Sequence, residues 1–178
     1  MLDWYKKFSS QPHQPFFTSG ILFLILFMML FSASYLNILV LDDSVLSFHA
    51  YPMVFVIFIQ FFLGFLYVVF PRFLIQAEIP IKDYMNQFIL YFISSLGIFL
   101  SIIFFSKITF IFQIMMLFAQ FLSFKLLYSI HKTTIVKVKD FTKKALISFI
   151  PAFCFIFTFY GVCNWVFCSY FERVRKAF

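Results

Sequence analysis

The chain has 178 residues, 63% of them hydrophobic and 12% charged, with a formal net charge of +7. Soluble domains are roughly half apolar and a quarter charged, and a chain this short cannot bury so much apolar surface in water. The composition excludes a soluble globular domain and implies an all-α, polytopic transmembrane helix bundle in a lipid bilayer. The basic residues lie between apolar runs, where they orient spanning helices, so the positive charge indicates the membrane and no nucleic acid. The 33 Phe stand in for Leu and Ile on lipid-facing surfaces and do not by themselves indicate a haem box.

A spanning helix needs about 20 apolar residues. Five runs qualify, and they are read as a single transmembrane domain over residues 1–178. The first, 16–41, is opened by Pro15. Lys6 and Lys7 precede it, but its apolar run is too long for a signal peptide and no A-x-A cleavage site follows, so it is expected to be uncleaved. The second, 52–70, has Pro52 suited to a first helical turn and Pro71 closing it. The third and fourth, 85–105 and 108–130, are separated only by Ser106 and Lys107, which predicts an antiparallel hairpin. The fifth, 145–171, carries Pro151, which is expected to kink it near its start. It also carries Cys154, Cys163 and Cys168. On a helix the latter two point about 140° apart, and Cys154 and Cys168 stand about 21 Å apart along the axis, so small apolar fillers are expected rather than a disulfide or a metal pair.

Lysine and arginine placement sets the orientation. Lys6 and Lys7, then Arg72 and Lys82, then Lys132, Lys137, Lys139, Lys143 and Lys144 all fall on one side, which is read as the cytoplasm. The first-to-second connection carries Asp42 and Asp43 and no Lys or Arg, so it is placed outside. The tail conflicts with five spans, because Arg173, Arg175 and Lys176 would then lie outside. Either further spans follow, or the strongly basic fourth-to-fifth loop overrides the tail.

The second run is the most informative. With His49 as the zero of a helical wheel, Tyr67 falls at about 0°, Gln60 near 20°, Met53 near 40° and Gly64 near 60°. The strongly polar side chains thus share one stripe, expected to face the bundle interior while Val, Ile, Phe and Leu face lipid. Polar groups in hydrocarbon are costly unless they have a partner. Gln60 has a structural reading, a hydrogen bond to Gln113 or Gln120 of the fourth run, and His49 has one as an interfacial loop histidine. The functional reading is a haem or copper site near the outer surface. Imidazole suits iron, copper and zinc, thioether suits copper(I) or haem iron, and His49 and Met53 at i and i+4 could both reach one centre. His13 precedes the first run and His131 lies in the basic loop, so neither shares a membrane side with His49, and the hydrocarbon between is about 30 Å thick. No nucleophile–base pair, P-loop, H-E-x-x-H or Cys-x-x-Cys is present, so no enzyme is expected. No span carries an intramembrane Asp or Glu, which argues against a proton-coupled carrier.

Three pieces, "PHQPFFTSGILF" (12–23), "FHAYPMVF" (48–55) and "FLGFLYVVFPRF" (62–73), resemble in order and spacing the opening of the NnrS family of bacterial inner-membrane proteins. The family pattern is a Pro-Phe-Phe start to the first span, an H-A-H-E-M-like segment before the second and a G-F-L…P ending. His49, Ala50 and Met53 match the middle segment, whereas Tyr51 and Pro52 stand where a second His and a Glu are expected. The resemblance implies haem and/or copper, a link to nitric oxide and denitrification metabolism, and about twice as many spans, so this chain is read as a short or partial member. It further implies a non-enzymatic protein of the bacterial inner membrane with a cytoplasmic N-terminus. His49 and Met53 are the expected cofactor and metal ligands, Gln60 and Tyr67 support or pack, and other membrane helices or a second half of the bundle are partners. The alternative is a structural or assembly subunit of a membrane complex without metal.

Overall fold

Hydrocarbon offers a backbone no hydrogen-bond partners, so apolar runs of spanning length close their own N–H and C=O groups by forming helices. The computed structural model describes residues 2–39, 49–104 and 108–133, and they form five helices. These are α1 (Leu2–Phe8), α2 (His13–Tyr35), α3 (His49–Phe73), α4 (Ile81–Phe104) and α5 (Thr109–Thr133). Four of them, α2 to α5, are long and apolar enough to cross a membrane. The fifth expected span at 145–171, its Pro151 and three cysteines, the Asp42–Asp43 connection, Lys107 and the basic segment beyond residue 133 lie outside the described residues.

The observed spans sit close to the expected ones, and each shift has a local cause. Hydropathy carries the first run on to residue 41, but α2 stops at Tyr35. Asn37 adopts the left-handed conformation (φ 56), its N–H donates to the Ser34 carbonyl at 3.1 Å, and the Ile38 N–H donates to the Ala33 carbonyl at 3.0 Å. This is the Schellman arrangement, which closes the last carbonyls of a helix. Pro71 does not close α3; the helix continues through it to Phe73. There Ile75 takes the left-handed position (φ 53), with Ile75 N–H to Arg72 carbonyl at 3.2 Å and Gln76 N–H to Pro71 carbonyl at 2.9 Å.

A β-branched residue in that region is strained by about 1–2 kcal/mol. Ile75 is 78% exposed, so its side chain offsets little of this strain by packing. Ile75→Gly should therefore stabilise the protein by about 1 kcal/mol, read as a raised midpoint of unfolding in detergent. An unchanged or lowered midpoint contradicts the strain.

The short helix α1 is too charged and too brief to register as a span. Asp3 lies in its first turn and Lys6 and Lys7 in its last, as the helix dipole favours. Trp4 stacks on Phe8 with ring centroids 5.1 Å apart, and Phe8 meets Phe88 of α4 edge-on at 6.0 Å. The Tyr84 hydroxyl of α4 donates to the Ser9 carbonyl and fixes the end of α1 to the bundle.

The four long helices alternate in direction. α2 and α3 are antiparallel: Phe16 and Phe17 of α2 lie against Gly64, Gly20 lies against Phe61, and Phe31 lies against His49. A Cβ on Gly64 would come within 2.9 Å of Phe16 Cβ, so glycine there permits the close crossing. α4 runs parallel to α2, with Phe88, Phe92 and Phe99 meeting Phe16, Phe23 and Phe27 in turn at 5.5, 5.4 and 5.4 Å. α4 and α5 form the expected antiparallel hairpin, with Ser101 donating to Thr109 Oγ1 at 2.9 Å beside the turn and Phe112 lying over Gly97. Trp4, Lys6, Lys7, Arg72 and Lys82 cluster at one end of the bundle and are exposed, and His49 stands at the other. Arg72 and Glu78 are 3.7 Å apart but largely exposed, a pairing worth little.

Candidate functional site: the polar seam and the His49 end

Gln60 is 1% exposed at the middle of α3. Its partners are neither Gln113 nor Gln120, as expected from the sequence, but two serines. The Ser19 hydroxyl of α2 donates to Gln60 Oε1, and Gln60 Nε2 donates to Ser95 Oγ of α4 at 3.0 Å. One amide thus ties three helices together. Ser95 donates to the Tyr91 carbonyl of its own helix at 2.8 Å, and the Phe16 carbonyl, 3.0 Å from Ser19 Oγ, is the alternative acceptor for the single Ser19 hydrogen.

Interhelical hydrogen bonds in membranes contribute roughly 0.6 kcal/mol on average, and about 1.7 at most. Because both serines keep a backbone acceptor, Gln60→Leu should destabilise the bundle by only about 1–2 kcal/mol. A few degrees' fall in the thermal midpoint of the detergent-purified protein would show this, whereas no fall at all would contradict the triad.

The interior face of α3 is wider than the expected stripe. Gly64 and Tyr67 are buried with Gln60, but so are Val56, Ile59, Leu63 and Leu66, and the large apolar side chains exposed on this helix are Phe58, Phe65, Val69 and Phe73. The wheel also fails at the outer end. Residues Pro52–Phe58 form a π-helix, whose i→i+5 turns hold more residues than an α-helical turn. A wheel drawn at 100° per residue therefore does not carry the phase of Gln60 and Tyr67 back to Met53 and His49. Pro52 starts this segment and lacks an N–H, and the Tyr91 hydroxyl of α4 donates to the Phe55 carbonyl inside it. Such segments are frequent at functional sites.

His49 is helical, within the first turn described for α3, and not a loop histidine. It is half-buried with its ring 4.2 Å from that of Phe31, and its Nδ1 is buried with no hydrogen-bond partner among the described residues. Met53 follows one turn on and is also half-buried. Tyr51, standing where the family pattern has a second His, is buried against Phe55 at 4.8 Å. His13 is at the opposite end of α2, edge-on to Phe17 at 5.8 Å, so the structure keeps it apart from His49 as expected. The side chain of His131 lies outside the described residues. Among the described residues no three His, Cys, Asp or Glu side chains come together; methionine is not of these types.

Sequence reasoning missed Tyr91, Ser95 and Ser19. A signal was present on α4, where Tyr84 and Tyr91, and Ser94 and Ser101, each recur seven residues apart and all four are buried. On a helix that spacing repeats one face.

No curated protein and no solved structure matches this chain. A family model described as "NnrS protein" does match, over residues 7–172, and takes in every helix from α2 to α5. With a match of that extent across an all-helical membrane bundle, the chain belongs to the NnrS family.

Proposed function

We propose that this protein is a non-enzymatic, haem- and/or copper-binding protein of the bacterial inner membrane that acts in the response to nitric oxide, with its basic end cytoplasmic. The observation that supports the ligand assignment is the buried Nδ1 of His49, which has no hydrogen-bond partner among the described residues. A buried imidazole nitrogen is costly without a hydrogen-bond partner or a metal, and a metal fits it. Met53 is the second donor, its soft thioether suited to copper(I) or haem iron. Phe31 holds the imidazole plane. Two donors do not complete a coordination sphere, so the remainder comes from residues beyond those described, from a second half of the bundle, or from another copy. A haem or copper centre held by His49 and Met53 would supply the binding of nitric oxide. The chain's own residues hold that end in place: Tyr91 grips the π segment through Phe55, and the Ser19–Gln60–Ser95 triad anchors the helix behind it.

The experiment is haem and copper quantification on the full chain purified from haem- and copper-replete cells. Stoichiometric haem or copper supports the proposal, and a colourless, copper-free preparation opposes it.

A second reading, a structural or assembly subunit without metal, is favoured by the saturation of Gln60 within the bundle and by the exposed apolar face of α2, where Ile25 and Met29 are 53% and 65% exposed. It is distinguished by a silent His49→Ala together with loss of partner association in Gly64→Leu.

A further inference from the structure

A small void lies between α3 and α5, bordered by Ile59, Leu63 and Leu66 on one side and by Gln120, Ser123 and Leu127 on the other, with a volume of about 10 Å³. Its lining is apolar except at two positions. Gln120 is 4% exposed; its Nε2 makes a long contact to Tyr91 Oη at 3.4 Å, and its Oε1 has no partner among the described residues. Ser123 is 2% exposed and commits its single hydrogen to the Ala119 carbonyl at 2.9 Å, which leaves its oxygen free to accept. Tyr67 lies beside Ser123 and is 1% exposed, and its hydroxyl has no other hydrogen-bond partner among the described residues.

We infer that this void is a binding site for one water molecule, which donates to Gln120 Oε1 and Ser123 Oγ. The size and the donor–acceptor balance both point there. A water needs about 10–15 Å³ of such space and two to four polar partners. The void admits one non-hydrogen atom; Gln120 Oε1 lacks a donor and Ser123 Oγ has room to accept one, and a single neutral molecule carrying two hydrogens serves both. An apolar guest would leave the amide oxygen unpaired in hydrocarbon, where it is most costly.

The water extends a polar seam already visible in the side chains. From the Phe55 carbonyl of the π segment the seam runs through Tyr91 and Gln120 to the water and Ser123, and on to Tyr67. Tyr67 also borders a crevice formed by Gln11, Pro12, Arg72 and Glu78 at the basic end of the bundle.

Radiolytic footprinting of the full chain in ¹⁸O-labelled water tests the inference, because an internally bound water oxidises the side chains that touch it even where bulk solvent cannot reach. Corrected for intrinsic reactivity, Leu63 and Leu127 should take up label several-fold faster than Ile98 and Phe23, which are also buried but do not line this void. Gln120→Leu should bring Leu63 and Leu127 down to the rate of Ile98. Ser123→Ala, a milder change, should lower them partway while the protein elutes unaltered on size exclusion. Rates for Leu63 and Leu127 no higher than for Ile98, or rates unaffected by either variant, would overturn the assignment. Neither outcome depends on whether His49 binds a metal.

Discussion

Gly97→Ala is expected to destabilise the α4–α5 hairpin by about 2–3 kcal/mol, the cost of forcing a methyl group into a packed interior. The reason is local. A Cβ at this position would stand 2.1 Å from Phe112 Cδ1, 2.3 Å from Cε1 and 2.5 Å from Cγ. The clash reaches the root of the ring, so a small swing of its far edge does not relieve it. Either Phe112 leaves its rotamer or the helices separate, and separation also strains the Ser101–Thr109 hydrogen bond next to the turn. Gly97→Leu should prevent the hairpin from closing. A double-mutant cycle makes the cause specific: Phe112→Ala should cost stability in the parent but restore most of it in Gly97→Ala. Unfolding in mixed micelles would read both, and additive losses would show that the Phe112 contact is not the reason for the glycine.

His49→Ala should lower the affinity of the purified protein for haem or copper by at least about tenfold while leaving the unfolding midpoint nearly unchanged. His49 is half-buried at a helix end, and its described ring contact is with Phe31, so the protein loses little packing. If it ligates a centre, the centre loses its only imidazole among the described residues at that end. Met53→Leu preserves volume and should cost less affinity, because a thioether is the weaker ligand, while moving the absorption spectrum of the bound centre. A His49→Ala protein with unaltered metal content but a lowered midpoint would assign the residue to packing.

Length and hydropathy made the four described spans readable in the sequence, and the two residues at 106 and 107 made the hairpin readable, because chain reach leaves adjacent helices no other arrangement. What hydropathy could not register is where polar backbone geometry ends a helix. "SYLNILVL" reads as one apolar run, yet Asn37 in the left-handed conformation stops α2 before that run is finished. At the site, Gln60, Gly64 and Tyr67 were assigned to the correct face because that part of α3 is a regular α-helix. Met53 and His49 precede or begin the π segment, and a wheel cannot anticipate a change of period. The partners of Gln60 were missed for a different reason. Serine is short, so a Gln60–Ser19 bond requires the close helix approach that Gly64 and Gly20 permit, a distance that spacing along one chain does not contain.

The most direct measurement is pulsed electron paramagnetic resonance of the oxidised full chain, loaded with ferric haem or copper(II) and labelled with ¹⁵N-histidine. A centre held by His49 should show hyperfine coupling to a directly bound imidazole nitrogen, and that coupling should vanish in His49→Ala while persisting in His13→Ala. Coupling that survives in His49→Ala, or a bound centre with no histidine nitrogen coupled to it, would contradict the placement of the metal at the end of α3.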